Sequence, residues 1–191
     1  MDAGVDAVWA PSVEHMFRRG SSSPPPNRGP SATRSRAPRV PGHFAGVLAA
    51  VHRLLSVVAP DAAYFGEKDA QQLFLIRRMV RELSLPVGVV GCPIVREPDG
   101  LALSSRNGLL SPAEREQAPC LFLGLSEAAV LARAGEQDPA VLVAATAREI
   151  GGHRARPADY VAVIEDATFT PAQRVGPGAR AIVAVRFPRR G

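Results

Sequence analysis

A chain of 191 residues with 46% apolar content is long enough for one ordinary domain or two small ones with a packed core. No apolar run approaches the ~20 residues of a membrane span, no basic start followed by an apolar stretch marks a signal peptide, and two cysteines, Cys92 and Cys120, are too few for a disulfide framework, which points to a reducing cytosol. The net charge of +5 comes from one segment: residues 18–39 hold Arg18, Arg19, Arg28, Arg34, Arg36 and Arg39 and no acid, the remainder sums to −1, and the segment has no aromatic residue to stack on bases, so neither nucleic acid nor a membrane is an expected partner.

In chain order, "GVDAVWAPS" predicts a short buried strand running into a loop. Residues 20–40, rich in Pro, Ser and Arg without apolar periodicity, cannot bury enough surface to offset their ordering entropy and are expected to be disordered. "HFAGVLAAVHRLLSVV" then sets Phe44, Val47, Leu48, Val51, Leu55 and Val58 on one helical face, and Pro60 ends it. "DAAYF" predicts a strand, Gly66 a turn, and "DAQQLFLIRRMVREL" a second amphipathic helix through Leu73, Ile76, Val80 and Leu83. "LPVGVVGCPIV" is a near-continuous apolar run, as expected of a strand buried on both faces. Helix, strand, helix, strand with short links predicts an α/β fold with a parallel sheet. After Arg96 the pattern loosens. "SPAE" predicts a capped helix start, with Ser111 as N-cap, Pro112 at the first helical position and Glu114 closing a capping box, and that helix is expected to reach about Arg133. A helix near residues 140–150 and strands "DYVAVIED" and "RAIVAVRF" complete a small α+β domain.

Two stretches carry chemistry. Lys68 is the only lysine beside 22 arginines, and it sits in Gly66, Glu67, Lys68, Asp69, between a strand and a helix, where α/β sheets bind ligands. Glycine permits close backbone approach, and the free N–H groups of a helix start favour an anion. An ammonium ~4 Å from a phosphate oxygen gains about 4 kcal/mol at an effective dielectric near 20, and as a compact point charge it can follow a moving phosphate. The plainer alternative is a solvated turn in which Lys68 pairs with Glu67 or Asp69. Gln71 and Gln72 open the helix on the same side, and either can bond a polar substrate or face water. The second stretch is "LALSSRNG": Leu103, Ser104, Ser105 and Arg106 put two hydroxyls and a guanidinium on a loop able to wrap an anion. Gly-x-x-x-x-Gly-Lys, Gly-x-Gly-x-x-Gly and Gly-x-Ser-x-Gly are all absent. His15, His43, His52 and His153 are isolated from one another and from the cysteines, without metal-ligand spacing, and the cysteines read as small buried apolar residues.

The two stretches in this order and spacing, within "PGHFAGV…APDAAYFGEKDAQQLFLIRRMV…VGCPIVREPDGLALSSRNGLLSPAER", resemble the pantothenate synthetases (pantoate–β-alanine ligases) from Pro41 to about Ala118, and more weakly to about Val185. The resemblance implies a partial Rossmann-like nucleotidyltransferase domain and a chemistry that uses ATP and Mg²⁺ to make pantoyl adenylate and pyrophosphate, after which β-alanine displaces AMP to give pantothenate. It implies an ATP site of Gly66, Glu67, Lys68, Asp69, Val95 (through its backbone), Leu103, Ser104, Ser105 and Arg106, a pantoate contact at Gln72, and catalytic roles for Lys68, Ser104, Ser105 and Arg106. It also implies a homodimer.

The expected organisation is a remnant strand and loop over residues 1–19, a disordered segment over 20–40, the rest of the ATP-binding domain over 41–96, and the C-terminal domain with its phosphate loop over 97–191. These residues contain no His-x-Gly-His and no histidines three apart, the motif that holds the ATP phosphates in the family. The expectation is therefore a chain lacking the N-terminal part of the nucleotide domain and impaired on its own, with residues 20–40 and the end "RFPRRG" reflecting frameshifts.

Overall fold

The computed structural model of the chain describes residues 4–16, 43–152 and 158–185. The expectations for residues 20–40 and for the last residues of the chain lie outside these. Helix α1 (Val13–Met16) follows Ser12, whose Oγ accepts from the His15 backbone N–H at 3.3 Å. Helix α2 (His43–Val58) ends where Ala59 turns to φ +46 ahead of Pro60. Strand β1 (Ala62–Gly66), a single 3-10 turn (Glu67–Asp69), helix α3 (Ala70–Glu82) and strand β2 (Gly88–Cys92) form a parallel strand–helix–strand unit, with Tyr64 opposite Val90 and Gly66 opposite Cys92.

Alternation along the two strands decides what holds this unit together. Ala63, Phe65, Val87 and Val89 face the helices and pack on Leu48 and Leu55 of α2 and on Leu75, Ile76, Met79 and Val80 of α3, with Ile76 fully buried. The opposite face is open: Tyr64 is 70% and Val90 40% exposed. The run "LPVGVVGCPIV" is thus buried on one face only, because α2 and α3 both pack on that face.

The expected strand at "GVDAVWAPS" is also corrected. Residues 4–12 are irregular and Val8 is 81% exposed. A strand needs a neighbour for its N–H and C=O groups, and among the described residues the parallel sheet holds β1 and β2 alone.

The chain next makes a hairpin through residues 95–103, a 3-10 turn (Ser105–Leu109), and helices α4 (Pro112–Gln117), α5 (Cys120–Arg133) and α6 (Pro139–Gly152). The capping box forms as the sequence predicts: Ser111 Oγ accepts from Glu114 N–H, and Glu114 Oε2 accepts from Ser111 N–H at 2.8 Å. The single helix expected from Ser111 to Arg133 is two helices, because Pro119 has no N–H for the ladder. A three-stranded antiparallel sheet, ordered β4 (Thr170–Pro171), β3 (Tyr160–Glu165), β5 (Ala179–Ala184), packs on α5 and α6 through Ala128, Leu142 and Val163. The two helices meet at Gly124, whose carbonyl accepts from the buried Thr146 Oγ1 at 3.1 Å. The whole is α/β, a parallel sheet with helices followed by a small antiparallel sheet, as expected. Among the described residues no helix is long and apolar enough to cross a membrane.

Candidate functional site

Both parallel strands end at one cleft of about 360 Å³. Gly66, Lys68, Asp69 and Gln72 line it from the β1 side, where the 3-10 turn delivers the chain into α3, and Cys92, Pro93, Ile94 and Val95 line it from beyond β2, with Leu103 closing it. The Lys68 side chain is 40% exposed, and its one ion pair among the described residues is loose, Nζ to Asp69 Oδ1 at 4.0 Å. At that distance and exposure the pair contributes little, so the ammonium is available to a ligand. No side chain caps the start of α3, which follows directly from the 3-10 turn. Of the two glutamines, Gln72 lines the cleft and Gln71 does not.

Glu67 turns elsewhere. Its Oε2 lies 3.4 Å from Arg180 Nη1, and Arg180 Nε holds Asp166 Oδ1 at 2.7 Å, so Glu67 ties the turn to the C-terminal sheet. A second, apolar contact runs alongside, Phe74 of α3 against Phe169 at 5.3 Å between ring centres.

Ser104, Ser105 and Arg106 are not part of the cleft wall. They form the start of the neighbouring 3-10 turn, with Ser104 Oγ accepting from Arg106 N–H at 3.2 Å and Ser105 and Arg106 exposed. A frame of charged groups holds this turn. Asn107 Nδ2 donates to Glu97 Oε1 at 2.7 Å and to the Ala102 carbonyl at 3.1 Å. Arg115 donates to Glu97 Oε2 and to Asp99 Oδ2, both at 2.6 Å. The hydrogen bond from Asn107 and then that from Arg115 hold the Glu97 carboxyl below its ordinary range, Arg115 does the same for Asp99, and the two carboxylates raise the Arg115 guanidinium. The hairpin is further pinned by Arg96, which donates to the Gly100 carbonyl at 2.9 Å and lies 4.6 Å above the Phe122 ring. None of these frame residues is evident in the sequence, since Glu97 and Arg115 are 18 positions apart and follow no helical or strand period.

Cys92 lines the cleft, half-buried rather than buried. Cys120 is buried, and burial, with a contribution from Glu149, pushes its thiol up, as for an inert core residue. Among the described residues no group of three His, Cys, Asp or Glu could hold a metal.

A cleft at the carboxyl ends of parallel strands, with one lysine at the strand–helix turn, marks an α/β protein with a cavity where such sheets commonly hold ligands. Comparison with known proteins gives the family. The pantoate-beta-alanine ligase family profile matches residues 1–190. The chain is 46% identical over 189 residues to the pantothenate synthetase of Thermus thermophilus, covering 98% of this chain and 67% of that one, and 44% identical over 188 residues to that of Oleidesulfovibrio alaskensis, covering 98% and 66%. A crystal structure of the Thermus thermophilus pantothenate synthetase superposes with a TM-score of 0.91 at 44% identity, over 98% of this chain and 67% of that one. A pantoate-beta-alanine ligase from Francisella tularensis, solved in complex with beta-gamma ATP and beta-alanine, matches 63% of this chain at 33% identity with a TM-score of 0.50. This chain belongs to the pantoate-beta-alanine ligase family. It spans about two thirds of the length of the Thermus relative.

Proposed function

We propose that the chain serves the ATP-dependent condensation of pantoate with β-alanine, by binding ATP and pantoate in the cleft at the ends of β1 and β2. The observation that carries the reading is that one cleft gathers Gly66, Lys68, Asp69, Gln72, Val95 and Leu103, six of the residues that the family resemblance assigns to ATP and pantoate. In this reading Gln72 hydrogen-bonds pantoate, and the Val95 backbone and Gly66 lie against the nucleotide. Lys68 faces the triphosphate from one side, and Ser104, Ser105 and Arg106 close on it from the other.

A pantoate carboxylate oxygen attacks the α-phosphorus, the bond to pyrophosphate breaks, and Lys68 and Arg106 offset the charge gathering on the leaving group. The β-alanine amine then attacks the acyl carbon of pantoyl adenylate, the C–N bond forms and AMP departs. The protein's contribution is positioning and electrostatics. Mg²⁺ would arrive on the nucleotide phosphates, offset their charge and keep most of its ligands from phosphate and water; Asp69 is the carboxylate at hand in the cleft wall. The reading includes a division near residue 96 between the ATP-binding part and the C-terminal domain, a homodimer, and a cytosolic setting.

A second reading, a fragment that binds nucleotide or a partner without turnover, is favoured by one observation: Ser104, Ser105 and Arg106 do not line the cleft that holds Lys68. Titration of the purified chain with Mg·ATP, followed by an assay of pyrophosphate release with pantoate present, separates the two. Binding with release supports the ligase, and binding without release supports the fragment. Failure of millimolar Mg·ATP to bind would sink both nucleotide readings.

A further inference from the structure

We propose that Asn107, Glu97 and Arg115 are positioning residues: together they fix the 3-10 turn (Ser105–Leu109) in the orientation that presents Ser105 and Arg106 to an anionic ligand. Nothing apolar does this work, because the turn has no buried residue. Its own hydrogen bonds are local, Asn107 N–H to the Ser104 carbonyl at 3.0 Å and Leu110 N–H to the Asn107 carbonyl at 3.2 Å, and they set its curl without setting where it points.

Direction comes from the Asn107 amide, which grips the hairpin twice, at Glu97 Oε1 and at the Ala102 carbonyl. Glu97 is itself fixed from the other side, since its Oε2 takes a hydrogen bond from Arg115 on α4. Arg115 also binds Asp99, whose Oδ1 accepts from the Leu101 N–H at 3.1 Å and so squares the hairpin tip. The turn is therefore clamped between the hairpin and α4, with Glu97 as the shared acceptor. Arg106 follows Ser105 on the exposed side of that clamp and makes no ion pair among the described residues. The side chains that hold the turn and the side chains that would meet a phosphate are thus different and point to different neighbours.

The test is an exchange of donor and acceptor in the full chain, read two ways. Asn107→Asp alone sets a second carboxylate against Glu97. Adding Glu97→Gln restores the contact between positions 97 and 107, though not the one to the Ala102 carbonyl, because the new amide donates to the carboxylate at position 107 while its oxygen still accepts from Arg115. Amide hydrogen exchange of the free protein reads the turn directly, without any ligand. Calorimetric titration with inorganic pyrophosphate reads its use.

For Asn107→Asp, which loses both Nδ2 hydrogen bonds, to Glu97 Oε1 and to the Ala102 carbonyl, we expect exchange at residues 104–110 to rise by roughly tenfold or more, and pyrophosphate affinity to fall by a similar factor, with exchange in α5 and α6 unchanged. The double variant should recover part of both. Unchanged exchange at 104–110, no recovery in the double variant, or faster exchange with unchanged pyrophosphate affinity each overturns the proposal. The ligand arm rests on the phosphate-binding reading above. If the parent chain binds no pyrophosphate, that reading fails, and the exchange arm still decides whether the three residues hold the turn.

Discussion

Gly100 sits at the tip of the hairpin that leads into the Ser105–Leu109 turn, and two independent constraints meet there. Its φ is +89°, a region where an L side chain costs about 1–2 kcal/mol. A Cβ at this position would lie 2.0 Å from Phe122 Cδ1, with further ring atoms at 2.6 and 2.7 Å. The ring cannot move freely, because Arg96 lies across it and donates back to the Gly100 carbonyl; forcing it aside adds about 1–3 kcal/mol of overpacking. Gly100→Ala should therefore cost about 2–5 kcal/mol, a lowering of Tm by roughly 5–20 °C for a chain of this size.

Three other glycines separate the terms. Gly135, at φ +98° with open space around it, tests backbone conformation alone. Gly124, whose Cβ would meet the Thr146 carbonyl oxygen at 2.9 Å without a positive φ, tests contact alone. Gly108, in the Ser105–Leu109 turn with neither constraint, should tolerate alanine within about 0.5 kcal/mol. Thermal and urea unfolding followed by circular dichroism rank the four variants. The reasoning is refuted if Gly100→Ala is no more destabilising than Gly135→Ala, since the Phe122 contact would then be absorbed at no cost.

Glu97 and Asp99 have folded pKa values below their ordinary 4.5 and 3.8, so the stability they lend is present above those values and is lost as pH falls through the lowered ones; Arg115→Met should flatten the decline in Tm between about pH 5 and pH 3, and an equal decline in both proteins would contradict this. Lys68→Gln should weaken Mg·ATP binding by roughly ten- to a hundredfold, less at high salt, because the group is partly exposed, while Lys68→Arg should recover only part of the loss; calorimetric titration at two ionic strengths decides. Val90→Lys on the open face of the sheet should reduce concentration-dependent self-association, since it sets a charge beside the exposed Tyr64; sedimentation velocity at several concentrations measures it.

Periodicity made the local elements legible. Leu48, Leu55, Ile76 and Val80 recur at helical spacing because each helix must bury one stripe, and the "SPAE" capping box is spelled out within four residues. The motif "GEKD" was readable as a strand–helix turn for the same reason, and its cleft follows from where parallel strands end. The sequence does not show which face of a strand will be covered. Val90 looks as apolar as Val89, yet only Val89 meets a helix. Nor does it show that Glu67, inside the motif, turns to Arg180, 113 positions away, or that Asn107, next to the recognised Arg106, grips Glu97 instead of facing the cleft. Long-range polar pairings have no period, so no local pattern announces them.

The two turns that would meet a phosphate in the proposed reading are held by different forces. Lys68 stands on a turn between β1 and α3, backed by an apolar core in which Ile76 and Met79 are almost wholly buried; that part of its support does not titrate, and the Glu67–Arg180 pair adds one ionic tie to it. Arg106 stands on a turn with no buried residue, held by Asn107, Glu97 and Arg115; that support weakens as the carboxylates protonate and as salt screens the ion pairs. Acid strong enough to protonate carboxylates held below their ordinary range should therefore loosen the Arg106 turn more than the Lys68 turn. In the proposed reading the single lysine among 22 arginines is the compact charge on the turn backed by the apolar core, and Arg106 is the charge on the turn held by polar contacts.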